Sequence, residues 1–496
     1  MLLAFRYFVL VGFYAFGLCS LWLCSLWLCT LYLCTFPAIQ PLLERAEAET
    51  LSAPDKQSLP AFPEALGFGR FSFGGSGRHL KSPTSRIFTI SNLLNHGPGS
   101  LRECLEFSAP RTCIFAVSGR IVLNEPLRIK HPYLTVAGQT APKPGIWISD
   151  AGIIISTHNV IIQHLAIRIG DSPSRQKDNT RDGITINGKD DDAYNILLDH
   201  LSLSWAIDEN FSTYGDKVRD ITLSNSIVSE GLYRSIHPEG PHSMGMLIGD
   251  GTQRITVTGS ILAFNNDRNP RVKPGSSLEF INNLVYGWGG FSGTHMLNPA
   301  DTEKTNLETK LVFAGNKYIP GAWSPKSPPL NGKPISPNFR AYVKSNFGPS
   351  RIDELADEWE ISGIDADFQV AAPPFATSQI LVKHPEQTES DSLTLAGTRP
   401  VERDSVDRRV IEEITSRRGE IKDCVSNCVR NAGGWPTQGP GQVDLKAAKI
   451  KQIIPSSPFG DTDQNGYTNL EDWLNCEHRK LTGKTPPTAS CLAGTT

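Results

Sequence analysis

The stretch FNNDRNPRVKPG places Arg268, Arg271 and Lys273 around Pro270 in a chain whose formal net charge is −3. Cations gathered this closely can grip an anionic ligand, arginine as a planar fork and lysine as a point charge. The competing reading is a surface cluster in which Arg268 pairs with Asp267. A second chemical signal lies near the C-terminus, in DTDQNGYTNLED. Asp461, Asp463 and Asn465 alternate there, Gly466 follows, and Asp472 takes the twelfth position, with Asp in place of the usual terminal Glu. That order is the EF-hand loop, in which alternate oxygens converge on Ca2+, Gly466 makes the sharp turn and Tyr467 offers its backbone carbonyl. A single copy predicts a structural calcium clamp rather than a docking module.

Such residues need elements to hold them. Between Tyr133 and Gly321 the chain repeats short β-branched runs, among them NVIIQHLAIRIG, NILLDHLSLSWA, DITLSNSIVSEG and RITVTGSILAFN. Five of the runs have two alternating arms around a central polar or glycine residue and the rest show it in part; aligning the centres gives His164, His200, Asn225, Gly259, Asn283 and Asn316. Asn, Gly and His tolerate a left-handed backbone well, so a bend at each centre would turn the strand onto a second sheet. Unequal steps between centres place insertions in one turn while the strand–bend–strand unit stays fixed. The predicted fold is all-β, a right-handed parallel β-helix in which each coil buries its apolar side on its neighbours. An antiparallel sandwich is the alternative, disfavoured by the scarcity of hairpin turns.

The expected organisation has five parts. Residues 1–38 form a signal peptide or membrane anchor, 39–60 a linker, 61–320 the β-helix, and 321–404 a loop-rich extension packed on it. Residues 405–496 form a helical segment carrying the calcium loop. Within the last part, Ser405 to Gly434 reads as one helix capped by Ser405 or Asp407. At the N-terminus, residues 7–36 carry no charge and repeat SLWLC, SLWLC and TLYLC. The run is long enough to span a bilayer, and Arg6 before it favours export of the body. A secreted or extracytoplasmic membrane-anchored protein is expected. On an exported chain Cys104, Cys113, Cys424, Cys428, Cys476 and Cys491 suit disulfides. Cys104 and Cys113 flank a turn and form the local pair, whereas Cys424 and Cys428, placed on a helix, are expected to reach Cys476 and Cys491. The near-neutral charge balance gives no hint of nucleic-acid binding, and no phosphate loop, dinucleotide fingerprint or zinc-protease helix is present.

Several motifs, in order along the chain, resemble the pectate lyases of polysaccharide lyase family 1. FPEALGFGRFSFGG resembles the family's opening segment, with Leu66 and Ser72 departing from its commonest form, and GSLRECLEFSAPRTCIFAVSGRI resembles the passage into the first coil. LLDHLSLSWAIDEN resembles the Asp-His strand and acidic loop, and RNPRVK resembles Arg-x-Pro-x-x-Arg with Lys273 in the last cationic place. The resemblance implies β-elimination of polygalacturonate with Ca2+ as cofactor. Asp182 aligns with a calcium aspartate, Thr180 stands where the family has another, and Asp208 and Glu209 complete the acidic set. Asp199 is expected to make structural hydrogen bonds. Arg268 inherits proton abstraction at C5. Because a guanidinium normally stays charged, Arg268 acts as a base only where positive neighbours oppose its charge; otherwise it stabilises the enolate while hydroxide takes the proton. Lys273 is expected to bind a substrate carboxylate, with Arg271, His242 and Arg234 as further substrate-binding candidates. The family's binding lysine has no counterpart near His242. The chain is expected to act as a monomer. The rival readings are a non-catalytic carbohydrate-binding β-helix and a lyase acting on methyl-esterified pectin.

Overall fold

Short strands separated by left-handed bends close the chain into coils, and the coils stack. The computed structural model describes residues 59–80, 85–173, 181–290, 292–296, 307–331, 337–436 and 454–485. Its strands form three sheets of ten, eight and eight members. In the ten-stranded sheet Val160–Gln163, Ala193–Asp199, Val218–Ser224, Gln253–Thr258, Ser277–Ile281 and Thr309–Ala314 follow one another, all in parallel. This register stacks Ile162, Leu198, Leu223, Val257, Phe280 and Phe313 in one column, each fully buried. Each such side chain contributes roughly 1.5–3 kcal/mol by leaving water. The architecture is therefore the expected parallel β-helix.

The bends fall at His164, His200, Asn225 and Gly259, whose φ values are 54°, 53°, 47° and 62°. In the next two coils they fall at Asn282 and Gly315, one residue before the expected Asn283 and Asn316. Those two asparagines have another task. Their side chains are buried, and the Nδ2 groups donate to Val257 O at 2.8 Å and Phe280 O at 2.8 Å. Asn283 N donates to Asn316 Oδ1 at 2.8 Å, and Asn316 N to Asn346 Oδ1 at 3.0 Å, so the amides satisfy backbone groups that the bend takes out of the ladder.

Coils continue beyond residue 320, because Leu330–Asn331 joins an eight-stranded sheet and Phe339–Lys344 joins the ten-stranded one. The segment from Ser405 differs from expectation. Its helix spans Ser405–Thr415 alone and is capped by Asp404, which accepts from Val406 N and Asp407 N. Beyond it Arg417 and Gly419 take positive φ, and the chain runs without helix to residue 436. Freed from a helix, Cys424 and Cys428 bond to each other across a Cα separation of 6.1 Å, contrary to the expected link to Cys476 and Cys491. Cys104 and Cys113 pair as expected, Cys476 is also disulfide-bonded, and Cys491 lies outside the described residues. A helix at Pro385–Leu395, capped by His384, has almost no apolar periodicity in its sequence.

The helix Asn469–Thr482 begins with a capping box between Thr468 and Glu471. Leu470 and Leu474 pack on Ile114, Ala116 and Ala137 of the coils, while Glu471 pairs with Arg78 at 3.3 Å. Among the described residues no helix is long and apolar enough to cross a membrane, and residues 7–36 lie outside them.

Candidate active site

Strands Ile184–Asn187, Glu209–Tyr214, Met244–Ile248, Arg271–Val272 and Thr294–Met296 are neighbours in one eight-stranded sheet. The register aligns Thr185, Ser212, Leu247, Arg271 and His295 across five coils. Val272 is fully buried, so alternation sends Arg271 and Lys273 to the outer face of this sheet. A cleft of about 740 Å³ elsewhere on the surface, lined by Tyr214, Asp216 and Lys310, contains none of the expected site residues.

Asp182, Asp208 and Glu209 come together at the start of these strands, with one oxygen of each within 4.8 Å of the others. Asp182 Oδ2 accepts from Thr185 Oγ1 at 2.7 Å and Ser212 Oγ at 2.8 Å, and its Oδ1 accepts from Glu209 N at 3.2 Å. These bonds fix the carboxylate without neutralising it. Burial, then repulsion from Asp208, pushes Asp182 up to about 7, although the two hydroxyls and Arg268 pull the other way. Three oxygen donors crowded to this degree suit a hard cation such as Ca2+. Arg268 Nη1 is paired with Glu209 Oε1.

The backbone of Arg268 is held in the left-handed region at φ 61°, a conformation that costs a non-glycine residue about 1 kcal/mol. Its amide donates to Asp267 Oδ1 at 2.8 Å, and its carbonyl accepts from Met246 N at 2.5 Å. Beneath the pair runs a buried amide chain, in which Asn210 Nδ2 donates to Asn265 Oδ1 at 3.1 Å and Asn265 Nδ2 donates to Asn269 Oδ1 at 2.9 Å. Asn210 follows Glu209 and Asn269 follows Arg268, so these amides fix the spacing of acid and cation across coils. Their signal, an Asn beside each charged residue, was open to sequence reading but ambiguous with bend asparagines.

His242 stands with the carboxylates, its Nε2 3.6 Å from Asp208 Oδ1. His237, which the sequence reading missed, lies 3.7 Å from Asp208 Oδ2 and stacks on His242 with ring centroids 3.4 Å apart. Burial, then His242, lowers the His237 pKa below its usual value. His295 Nε2 contacts Asp267 Oδ1 at 3.1 Å beside Arg268. Arg234 is exposed and turned away toward Tyr233, its backbone amide bonded to Asp423 Oδ1 at 3.1 Å. The structure thus brings Asp182, Asp208, Glu209, Arg268 and His242 together and gives Arg234 no contact with them among the described residues.

In the loop Asp461–Asp472, Gly466 has φ 90° and its amide donates to Asp461 Oδ2 at 3.2 Å. Asn465 Nδ2 donates to Asp463 Oδ2 at 3.1 Å and Asp472 Oδ1 at 3.0 Å, bridging two of the expected ligands. Tyr467 N donates to Asn465 Oδ1 at 2.7 Å. Burial, followed by the Asp463, Glu471 and Asp461 charges, pushes Asp472 up to about 6 against the opposing Asn465 bond.

Compared with known proteins, the chain is 31% identical over 436 residues to probable pectate lyase C of Aspergillus flavus, covering 84% of this chain and 94% of that protein. The protein of the same name from Aspergillus oryzae is also 31% identical, again over 84% of this chain and 94% of the relative. Among solved structures, jun a 1, the major allergen from cedar pollen, matches with a TM-score of 0.51 at 16% identity, covering 67% of this chain and 92% of that one. That likeness concerns the fold. No family model matches the sequence.

Proposed function

The chain belongs to the pectate lyase family of polysaccharide lyases, and on that premise we propose that it cleaves polygalacturonate by calcium-assisted β-elimination at Asp182, Asp208, Glu209 and Arg268. The observation that carries the reading is three carboxylates within 4.8 Å of one another with Arg268 paired to one of them. In the reaction the C5 proton leaves, a C4–C5 double bond forms and the C4–oxygen bond to the neighbouring sugar breaks, the departing oxygen taking a proton. Bound Ca2+, held by the three carboxylates, would offset the uronate charge and make C5–H more acidic.

Arg268 is the residue assigned to C5. Its pairing with Glu209 favours a charged guanidinium that covers the enolate, with hydroxide as proton acceptor; a neutral Arg268 acting as base is the second form of the same proposal. Arg271 and Lys273, on the outer face, would hold neighbouring uronate carboxylates, and His242 with His237 would orient Asp208. The loop Asp461–Asp472 would take a structural Ca2+ through Asp461, Asp463, Asn465, the Tyr467 carbonyl and Asp472. Export to the cell exterior, where the polysaccharide lies, belongs to the same proposal.

The test is the ultraviolet absorbance of unsaturated uronate products in polygalacturonate digests. Product should accumulate with calcium and cease in excess chelator. Undiminished cleavage in chelator would refute the cation, and an inert protein that still binds the polymer would make the β-helix a carbohydrate-binding scaffold. Cleavage restricted to methyl-esterified pectin would move the substrate.

A further inference from the structure

Two bend positions carry histidine where the other coils use Asn225, Gly259, Asn282, Gly315 and Ser345. A bend needs only positive φ, so it does not explain imidazoles at His164 and His200. Both are buried, their rings stack with centroids 5.0 Å apart, and His478 of the helix Asn469–Thr482 lies against both. One ring nitrogen of each of the three lies within 4.8 Å of the others.

Hydrogen bonds select the tautomers. His200 Nδ1 donates to Asp199 Oδ2 at 2.8 Å and His164 Nδ1 donates to Thr398 O at 2.5 Å, since a carboxylate and a carbonyl can only accept. Each Nε2 is therefore unprotonated, and that of His164 accepts from His478 Nδ1, a bond that a metal would replace. Imidazoles oriented by a carboxylate or carbonyl through the far nitrogen are the form in which histidine binds transition metals. Asp199 is itself fixed by Ser224 Oγ at 2.8 Å and Asn225 Nδ2 at 3.0 Å. The third ring bonds His164 Nε2 through Nδ1 at 2.8 Å, while its own Nε2 is buried without a hydrogen-bond partner. A cavity of about 20 Å³, with room for one water, is lined by Phe62, Gln163 and the His478 ring but by neither His164 nor His200.

We propose that His164, His200 and His478 form a binding site for a divalent transition metal of the zinc type, which fastens the C-terminal helix to the coil bends. Three imidazoles plus one water complete the tetrahedral set such an ion takes. The site is separate from the carboxylates that would hold calcium, which prefers oxygen. It is assembled from two successive middle coils and the C-terminal helix, so its metal would tie that helix to the centre of the coil stack.

The purified full chain, stripped of metals and returned to calcium buffer, is given Zn2+, desalted and assayed for retained zinc. In a parallel sample Co2+ serves as the spectroscopic probe. One zinc per chain, a tetrahedral Co2+ spectrum and a Tm raised by about 2 °C or more are expected. His478→Gln should weaken zinc binding by about 100-fold or more, whereas His242→Gln should leave it unchanged. An unaltered chain that retains no zinc and gives no Co2+ spectrum would overturn the site. So would zinc kept by His478→Gln and lost by His242→Gln, which would move the metal to the group formed by Asp208, His237 and His242.

Discussion

Two carboxylate sites in neighbouring coils, one fully buried and one half-buried, have opposite electrostatic characters. On one side Glu230 is fully buried, and both its oxygens accept from Arg409, at 2.6 and 2.8 Å, with Trp205 Nε1 adding a third bond at 3.0 Å. Burial alone would raise this carboxyl, but Arg409, with Lys422 and Trp205, overrides it and holds it below its ordinary range. On the other side Asp182, Asp208 and Glu209 share a small space, and Asp182 stays pushed up to about 7 despite two hydroxyl bonds and Arg268. The first site is a finished ion pair joining the helix Ser405–Thr415 to the coils. In the second, carboxylates repel one another, and a cation brought from outside would relieve them. Matched charge marks structure here, and unmatched charge marks the site proposed for chemistry.

Arg268→Ala should give the largest effect. Removing the group assigned to C5 is expected to lower kcat on polygalacturonate by roughly 10²–10³-fold while polymer binding persists, as read from product absorbance and a binding assay. A comparable loss from Arg409→Ala in folded protein would erase the distinction drawn between the two sites.

Arg409→Ala should instead act on stability. It leaves Glu230 buried without its guanidinium, at a cost of about 3–5 kcal/mol, measurable by urea unfolding at neutral pH. The sign with pH follows from the lowered Glu230 pKa. Its contribution is present above the ordinary glutamate value of 4.5 and is lost as pH falls through the folded value below it. The gap between wild type and Arg409→Ala should therefore narrow on acidification. A gap that stays constant with pH would show that the pair does not stabilise through its charge.

The coil stack was legible because it repeats: alternating apolar arms and bend residues state the same unit many times over. Legibility failed where one residue can serve two purposes. Asn282 and Asn283 stand side by side, and nothing in their letters says which takes the bend and which the buried hydrogen bonds. The helix Ser405–Thr415 was legible at its start, but its end was read too late, because Cys424, Val425 and Cys428 continue a helical pattern that the bend at Gly419 interrupts. Asp182, Asp208, Glu209 and Arg268 were found through the family resemblance, since no local spacing links residues on different coils. His237 escaped for the same reason, as its partner Asp208 is a coil away. By contrast, the Asp461–Asp472 loop is contiguous and could be read from its spacing alone.

The smallest expected effect runs against intuition and so tests the comparison most sharply. An unfolded Asp182 would titrate at 3.8, whereas in the native cluster it titrates at about 7. Between those values the native state keeps a proton that the unfolded state has released, so native stability falls as pH rises through the interval. Above about 7 the full penalty is present. Asp182→Asn keeps the shape and carries no charge, so in chelator near pH 8 it should be more stable than wild type, by about 1–2 kcal/mol once solvent screening discounts the linkage. Calcium should reverse the order, because an ion that binds the native acidic cluster stabilises the wild type by mass action and loses a ligand in the variant. Urea midpoints with chelator and with calcium check both halves. If Asp182→Asn is less stable than wild type in chelator, Asp182 is a satisfied structural residue like Glu230, and the two sites do not differ in the way their charges suggest.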